Sequence, residues 1–401
     1  MVRALLYLPD ETDHGLAARQ VAGRTLAVRV MVAALRAGAG LVLVPSALRD
    51  PAIERALRRM PALAAAVRWV APGDAVPAEN GAPWLLLPAS SLLHTRALDG
   101  LLAPPRTRAA CLKPSAAGPA PVALVPTAVI GSLWDALSAG RPVGAPLTQC
   151  LREMAAEDRE ATGPYVPVRG PSDLGLAEEA LESTLGISAD SGADRYLHRK
   201  GSRWITRLLV HTPVTPNQVS LLSLAIGLGA IWCFWRATPV SALLGILLYG
   251  LATVVDHADG EIARLTFQES VFGANLDWTI DTIIHAGIVL GIGVTAGGPL
   301  MVAIGVLGAA GVTLSALFAR SLPREIAVGP TVGGVLKNIA NRDLFYILLL
   351  GVTVLRWLAP ALLGVAAVVV AVGSQAYWVG CLARIRRTRV GLARERQPRV
   401  E

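Results

Sequence analysis

The hydrophobic positions of this chain fall into two regimes. Up to about residue 190, short apolar runs alternate with stretches of helical spacing, and from about 218 to 383 the chain is a series of long apolar runs. In the first regime, Ala4–Leu8, Leu41–Pro45, Trp84–Leu87 and Val122–Val125 predict buried strands. Leu26–Leu35, Asp50–Arg59, Val129–Ala139 and Leu147–Arg159 carry the spacing of helices. Strands alternating with helices predict an α/β domain with a parallel sheet over residues 1–165. Gly163, Pro164, Pro167, Gly170 and Pro171 then break the pattern. They predict a linker over 166–193 that holds a short helix at Leu174–Leu185.

In Asp194–Val210, Tyr196, Leu197, Trp204, Ile205, Leu208 and Leu209 interleave with Arg195, Arg199, Lys200, Arg203 and Arg207. That mixture suits a helix lying in a membrane interface, the alternative being a soluble helix docked on the first domain. The long runs divide into six spans, at 218–236, 240–264, 272–295, 299–319, 343–358 and 360–383. Each is near the ~20 residues that cross a bilayer. The expected fold is thus an α/β domain followed by an all-α, six-helix transmembrane domain over 194–388, with a basic tail at 389–401.

Mean hydropathy is +0.51 and only 16% of residues are charged, against about 25% for soluble domains. The net charge of +8 comes from basic residues clustered beside the apolar runs. Arg320, Arg324, Lys337 and Arg342 fall between spans four and five. Arg384, Arg386, Arg387, Arg389, Arg394, Arg396 and Arg399 follow span six. By the positive-inside rule, the first domain, the 265–271 loop and the tail are cytoplasmic. Anionic lipid, rather than nucleic acid, is the expected partner of this charge. A multi-pass protein of a bacterial inner membrane is the expected setting. Cys111, Cys150, Cys233 and Cys381 are scattered, without the spacing of a zinc site or a disulfide framework. The apolar opening at Met1–Leu8 runs straight into Pro9, Asp10 and Glu11, which reads as a strand rather than a signal peptide.

Spans two and three carry Asp256, Asp259, Asp277 and Asp281. A charged side chain at the centre of a span costs about 2.5–3.5 kcal/mol on insertion scales. Asp256 and Asp259 are three apart and share a helix face, and Asp277 and Asp281, four apart, share another. Antiparallel helices joined at 265–271 can bring the two faces together, where the carboxylates repel unless a cation neutralises them. An all-oxygen donor set favours Mg²⁺ or Mn²⁺. Gly260, Ala263 and Gly273 keep the surroundings small, either for a ligand or for close helix packing. Arg264 offers a guanidinium suited to phosphate oxygens.

The spacing Asp256-x2-Asp259-Gly260-x2-Ala263-Arg264-x8-Gly273-x3-Asp277-x3-Asp281 resembles the signature of the CDP-alcohol phosphotransferase family over about residues 194–385. Thr215-Pro216-Asn217-Gln218-Val219-Ser220 resembles the family's segment entering span one. The resemblance implies two Mg²⁺ or Mn²⁺ ions held by Asp256, Asp259, Asp277 and Asp281. It implies a CDP site lined by Asn217, Ser220, Gly260, Ala263, Arg264 and Gly273. Asp281 would be the general base that deprotonates an acceptor hydroxyl, which attacks the β-phosphorus and releases CMP. Donors of this class are CDP-diacylglycerol or a CDP-polyol, acceptors are a polyol, a polyol phosphate or a lipid, and a homodimer is common. Thr282 stands where an Arg is expected, which bears on the acceptor. Arg320, Lys337 and Arg342 either bind an anionic acceptor or fix topology. His257, at a variable position, reads as packing.

The first domain is similar to the nucleotidyltransferase-like part of fused inositol-phosphate cytidylyltransferase/di-inositol-phosphate phosphate synthases. Ala22-Gly23-Arg24-Thr25-Leu26 carries that likeness loosely. The Gly-rich loop expected after the first strand is replaced by Leu8-Pro9-Asp10-Glu11-Thr12-Asp13, and the carboxylate expected after a later strand by Pro88-Ala89-Ser90. A degenerate, binding or docking domain is therefore expected. A bifunctional enzyme and a non-enzymatic membrane metal transporter or scaffold are the alternatives.

Overall fold

A computed structural model describes residues 2–77, 83–103, 108–112, 120–185, 198–236, 238–321 and 342–395, the side chains of 342–344 and 387–395 excepted. The chain forms two compact units, Met1–Gly186 and Ile187–Glu401.

The first unit is built on a seven-stranded sheet. In chain order its strands are β1 (Val2–Tyr7), β4 (Ala39–Pro45), β5 (Val67–Val70), β6 (Trp84–Pro88), β8 (Ala110–Leu112), β9 (Ala123–Val125) and β10 (Glu157–Arg159). Across the sheet they run β10-β8-β9-β6-β1-β4-β5. The centre is apolar on both faces, as parallel strands covered by helices require, with Leu5, Tyr7, Leu43, Trp84 and Leu86 buried in one cluster. All neighbours are parallel except β9, which runs antiparallel to both β6 and β8. The expected parallel sheet is thus present, with β9 as its one departure among the described strands. Periodicity marks a buried strand but carries no direction.

Two further expectations change. Leu147–Arg159 is not one helix: α6 covers Gly144–Glu153. Ala155 then takes a left-handed φ of 48°, and Glu157–Arg159 becomes the edge strand β10, parallel to β8. The helix cannot continue through that backbone reversal. The breaker-rich stretch is not a free linker either. Tyr165–Pro167 forms β11, antiparallel to β7 (Ser91–Leu93). α7 (Asp173–Glu182) follows, and its Glu178 carboxylate accepts the Ala22 amide at 2.8 Å. Proline is tolerated at such a short edge pairing because few ladder bonds need its missing N–H.

Ala22 and Gly23 both have positive φ, at 45° and 75°. They make a tight hairpin between β2 (Gln20–Val21) and β3 (Arg24–Thr25). This hairpin leads directly into α2 (Leu26–Arg36). Arg29 of α2 is 2% exposed and donates to the carbonyls of Val21 and Ala22, both at 2.8 Å. Sheet order turns at β1, between β4 and β6, and the crevice of such a sheet lies at the carboxyl ends of the strands there. The loop after β1 is tied down in that place. Leu8 and Pro9 accept backbone bonds from Val143 and Gly144, and Asp13 accepts from the Asp10 amide at 2.7 Å. Burial pushes the Asp13 carboxyl up from the usual range, against a hydrogen bond from Ser90.

The second unit opens with α8 (Arg199–Leu209). The described part of the segment expected at 194–210 starts at His198, so Asp194–Leu197 lie outside the described residues. Then come α9 (Pro216–Trp235), α10 (Pro239–Thr266), α11 (Val271–Ala296), α12 (Gly298–Arg320), α13 (Arg342–Leu358) and α14 (Leu363–Glu395). Among the described residues, five helices are long and apolar enough to cross a membrane, and α13 is a shorter apolar one over Phe345–Leu358. Six long spans were expected, and the fifth is the short one. α14 runs on through the basic tail to Glu395 rather than ending near 383. α11 and α12 cross at two glycines: a Cβ on Gly293 would sit 2.5 Å from the Gly305 Cα. Small residues at such a crossing let backbones touch where lipid provides no hydrophobic drive.

Arg29→Ala leaves two buried carbonyls without their donor, at about 1–3 kcal/mol each. Hydrogen exchange at Val21–Leu26 is expected to accelerate strongly while strand β6 keeps its protection. Unchanged exchange in the hairpin would contradict this role.

Candidate metal centre

α10 is one unbroken helix whose two halves differ in chemistry. Its first half is apolar, while Asp256, Asp259, Glu261 and Arg264 crowd its last three turns. It ends at Phe267, which takes the left-handed cap with φ of 57°. The chain reverses over 267–270, and α11 starts with Ser270 capping the Gly273 amide at 2.9 Å. This reversal brings the two aspartate faces together. Asp256, Asp259 and Asp277 each place a ligand atom within 4.8 Å of the others. Asp256 and Asp259 are buried, at 7% and 6% exposure. Three carboxylates held this close inside a helix bundle fit a divalent cation with oxygen ligands, which removes their mutual repulsion. Asp281, one turn further along α11, is outside that triad but interacts electrostatically with Asp259.

α9 completes one wall. Thr215 and Gln218 form a reciprocal capping box with Pro216 in the first turn, which fixes where the helix begins. Ser220, on the next turn, is buried and donates its hydroxyl to the Asp259 carboxylate. Ser220 was expected at the CDP site, and its bond to the acid is an addition made by the tertiary packing. Asn217 faces α11: its Oδ1 lies 3.3 Å from where a Cβ on Gly273 would stand. The Arg264 guanidinium folds back over Gly260, where an added Cβ would meet Nη1 at 3.2 Å. Asn217, Ser220, Gly260, Arg264 and Gly273 thus line the first turns of α9 and α11 and the last turns of α10, around the carboxylates. Ala263 accepts the Gln268 amide in the helix cap.

A cavity of about 780 Å³ opens on the far side of Asp281, among α11, α12, α13 and α14, with His285, Arg320, Phe345 and Tyr377 in its walls. Arg320 crosses from α12 to α11, where it donates to Asn275 and lies 5.2 Å above the Trp278 ring. Lys337 lies outside the described residues, and α13 begins at Arg342, whose side chain also does. His285 is held by the Asp281 carbonyl at 2.7 Å and the Tyr249 hydroxyl at 2.9 Å. His257 packs edge-on against His198, ring centroids 5.9 Å apart. Asn275, Trp278, Tyr249 and Glu261 escaped the sequence reading. Glu261 alone carried a signal, as a fifth carboxylate inside a span.

Residues 213–388 match the family model described as CDP-alcohol phosphatidyltransferase, so this stretch is a domain of that family. The chain is 39% identical over 155 residues to a bifunctional IPC transferase and DIPP synthase of Rubrobacter xylanophilus, covering 38% of this chain and 35% of that protein. It is 36% identical over 88 residues to an archaetidylinositol phosphate synthase of Pyrococcus horikoshii, covering 22% and 45%. It is 34% identical over 80 residues to a phosphatidylinositol phosphate synthase of Corynebacterium glutamicum, covering 20% and 35%. The chain therefore spans less than half the length of these curated relatives.

Asp277→Asn removes one of three converging carboxylates. Mn²⁺ affinity, read by electron paramagnetic resonance, is expected to fall by about tenfold or more. The thermal midpoint without metal should stay level or rise, because repulsion is relieved. Native Mn²⁺ affinity in the variant would contradict the triad as a metal centre.

Proposed function

We propose that this protein transfers a phospho-alcohol group from a CDP-alcohol to a hydroxyl acceptor and releases CMP, as a transferase of substituted phosphate groups. The reading rests chiefly on the convergence of Asp256, Asp259 and Asp277 beside Gly260 and Arg264, within a segment that matches the family. Mg²⁺ or Mn²⁺, as a pair of ions held by the four aspartates, would supply charge neutralisation for the diphosphate and for the departing CMP.

The chain's own residues do the rest. Asn217, Gly260, Ala263, Arg264 and Gly273 receive the cytidine diphosphate: the glycines leave room at the backbone and Arg264 pairs with phosphate oxygens. Ser220 holds the Asp259 carboxylate in one rotamer. Asp281 stands between the triad and the cavity. It accepts the proton of the acceptor hydroxyl as that oxygen bonds to the β-phosphorus and the bond to CMP breaks. Arg320, which shares the cavity wall with Asp281, orients the acceptor, with Lys337 and Arg342 as further candidates. Positioning and electrostatics carry most of such a reaction.

The relatives named for inositol-containing products favour an inositol-type acceptor or donor. They leave CDP-diacylglycerol and CDP-polyols both in view. The first unit is read as degenerate, because Asp13 is spent on its own loop and Ser90 stands where a second carboxylate would be needed. A multi-pass protein of a bacterial inner membrane, with the first unit and the tail in the cytoplasm and two copies per assembly, completes the reading.

CMP release by the purified chain tests this, with CDP-diacylglycerol and CDP-inositol each crossed with inositol, inositol phosphate and a lipid acceptor. One pair is expected to release CMP with Mg²⁺ or Mn²⁺. Asp281→Asn should lower kcat by at least ~100-fold, in the range of a lost general base. Full turnover in that variant would remove Asp281 from the chemistry.

A further inference from the structure

Glu261 has no part in the scheme above, yet it is the most buried charged group of α10, at 0% exposure. Its neighbours in sequence are Gly260 and Ile262, and Asp259 lies two residues back. Its carboxylate points to the opposite side of α10, toward α8. Oε1 receives Arg199 Nη1 at 3.0 Å and the Ser202 hydroxyl at 2.8 Å, and Oε2 receives the Thr206 hydroxyl at 2.7 Å. All three donors stand on one face of α8, spaced three and four apart, and all three are buried. Gly201, between them, lets the two helices close up: a Cβ there would sit 2.9 Å from Val254 Cγ1. One residue before Arg199, His198 contacts His257, the residue after Asp256, and accepts or donates to the Tyr346 hydroxyl at 3.0 Å. α8 therefore grips α10 on both sides of the Asp256–Asp259 turn.

The other face of α8 exposes Lys200, Trp204, Arg207 and Leu208, with Trp204 at 69% and Leu208 at 61%. One face of this helix is thus spent on Glu261 and the other is amphiphilic. Packing alone would not need a buried ion pair here. An apolar contact of the same size would hold two helices together at least as well. What an ion pair with two added hydroxyl bonds provides is direction: it sets the rotation and height of α10 where the carboxylates are.

We propose that Glu261 is a positioning residue. Held by Arg199, Ser202 and Thr206, it makes α8 the clamp that sets the metal-binding geometry of Asp256 and Asp259. This rests on the metal centre proposed above but not on the transfer reaction, and the test is chosen accordingly.

The test reads Mn²⁺ affinity by electron paramagnetic resonance and thermal stability on the same purified full-length samples. Two variants are compared with the native chain: Ser202→Ala combined with Thr206→Val, and Arg199→Met combined with Glu261→Leu. The first keeps the ion pair and loses two directional bonds. The second replaces the pair by apolar side chains of similar size. Both are expected to keep a cooperative unfolding transition, and the second to match or exceed the native midpoint. Both are expected to bind Mn²⁺ about tenfold more weakly, the scale typical of lost outer-shell partners. Native Mn²⁺ affinity in the apolar pair would overturn the proposal and reduce the clamp to packing. Mn²⁺ affinity that simply follows the midpoint across the variants would overturn it as well. Clamp-dependent Mn²⁺ binding in a protein that releases no CMP from any substrate pair would support the clamp and contradict the transfer reaction.

Discussion

Carboxylates inside an apolar helix bundle are the constraint on which the second unit depends. Asp256 and Asp259 are nearly fully buried and share a small volume with Asp277. No arrangement of aliphatic side chains could make that tolerable, since each buried charge is costly and like charges add to the cost. The surrounding structure is organised around compensation. The Ser220 hydroxyl meets one carboxylate, the Arg264 guanidinium folds over Gly260 beside it, and a divalent cation held by the triad would offset the remaining negative charge. Glycines at 260 and 273 leave room for Arg264 and Asn217 against the helix backbones, while the capping box at Thr215 and the Ser270 cap fix where α9 and α11 begin.

The same constraint explains which parts of the centre were legible in the sequence. Asp256, Asp259, Asp277 and Asp281 stood out because charge in an apolar run is expensive and because period-3.6 spacing put each pair on one face. Their convergence followed from the short reversal after Thr266. Partners recruited from elsewhere were not legible. Ser220 sits in a helix where a hydroxyl is unremarkable, and only tertiary packing points it at Asp259. Asn275 and Trp278, the partners of Arg320, look like any polar and aromatic residue near a helix start. Glu261 was visible as a charge, but its three donors lie on an amphipathic helix some sixty residues earlier, and periodicity does not pair helices.

In the first unit, the strands with strong β-branched and leucine runs were readable, and the weak ones were not. Ala110–Leu112 and Glu157–Arg159 are three residues each and take their strand form from neighbours already in the sheet. The direction of β9 is likewise a property of the whole sheet. The breaker-rich stretch misled for the opposite reason. Its prolines flag a chain reversal correctly, but Tyr165–Pro167 still finds an edge to pair with. At the crevice where a sheet of this order would take a ligand, the loop after β1 is stapled by backbone bonds and by Asp13. This stapling is one ground for the proposal that the first unit is degenerate.

The proposed transfer requires the aspartate cluster and the cytidine diphosphate to share one site, joined through a divalent cation. Calorimetric titration of CDP into the purified protein, with Mn²⁺ and again with excess chelator, tests it most directly. Binding with Mn²⁺ that vanishes in chelator, and a matching gain in Mn²⁺ affinity when CDP is present, is the result expected from a shared site. CDP binding of equal strength in both conditions, or Mn²⁺ binding indifferent to CDP, would contradict it.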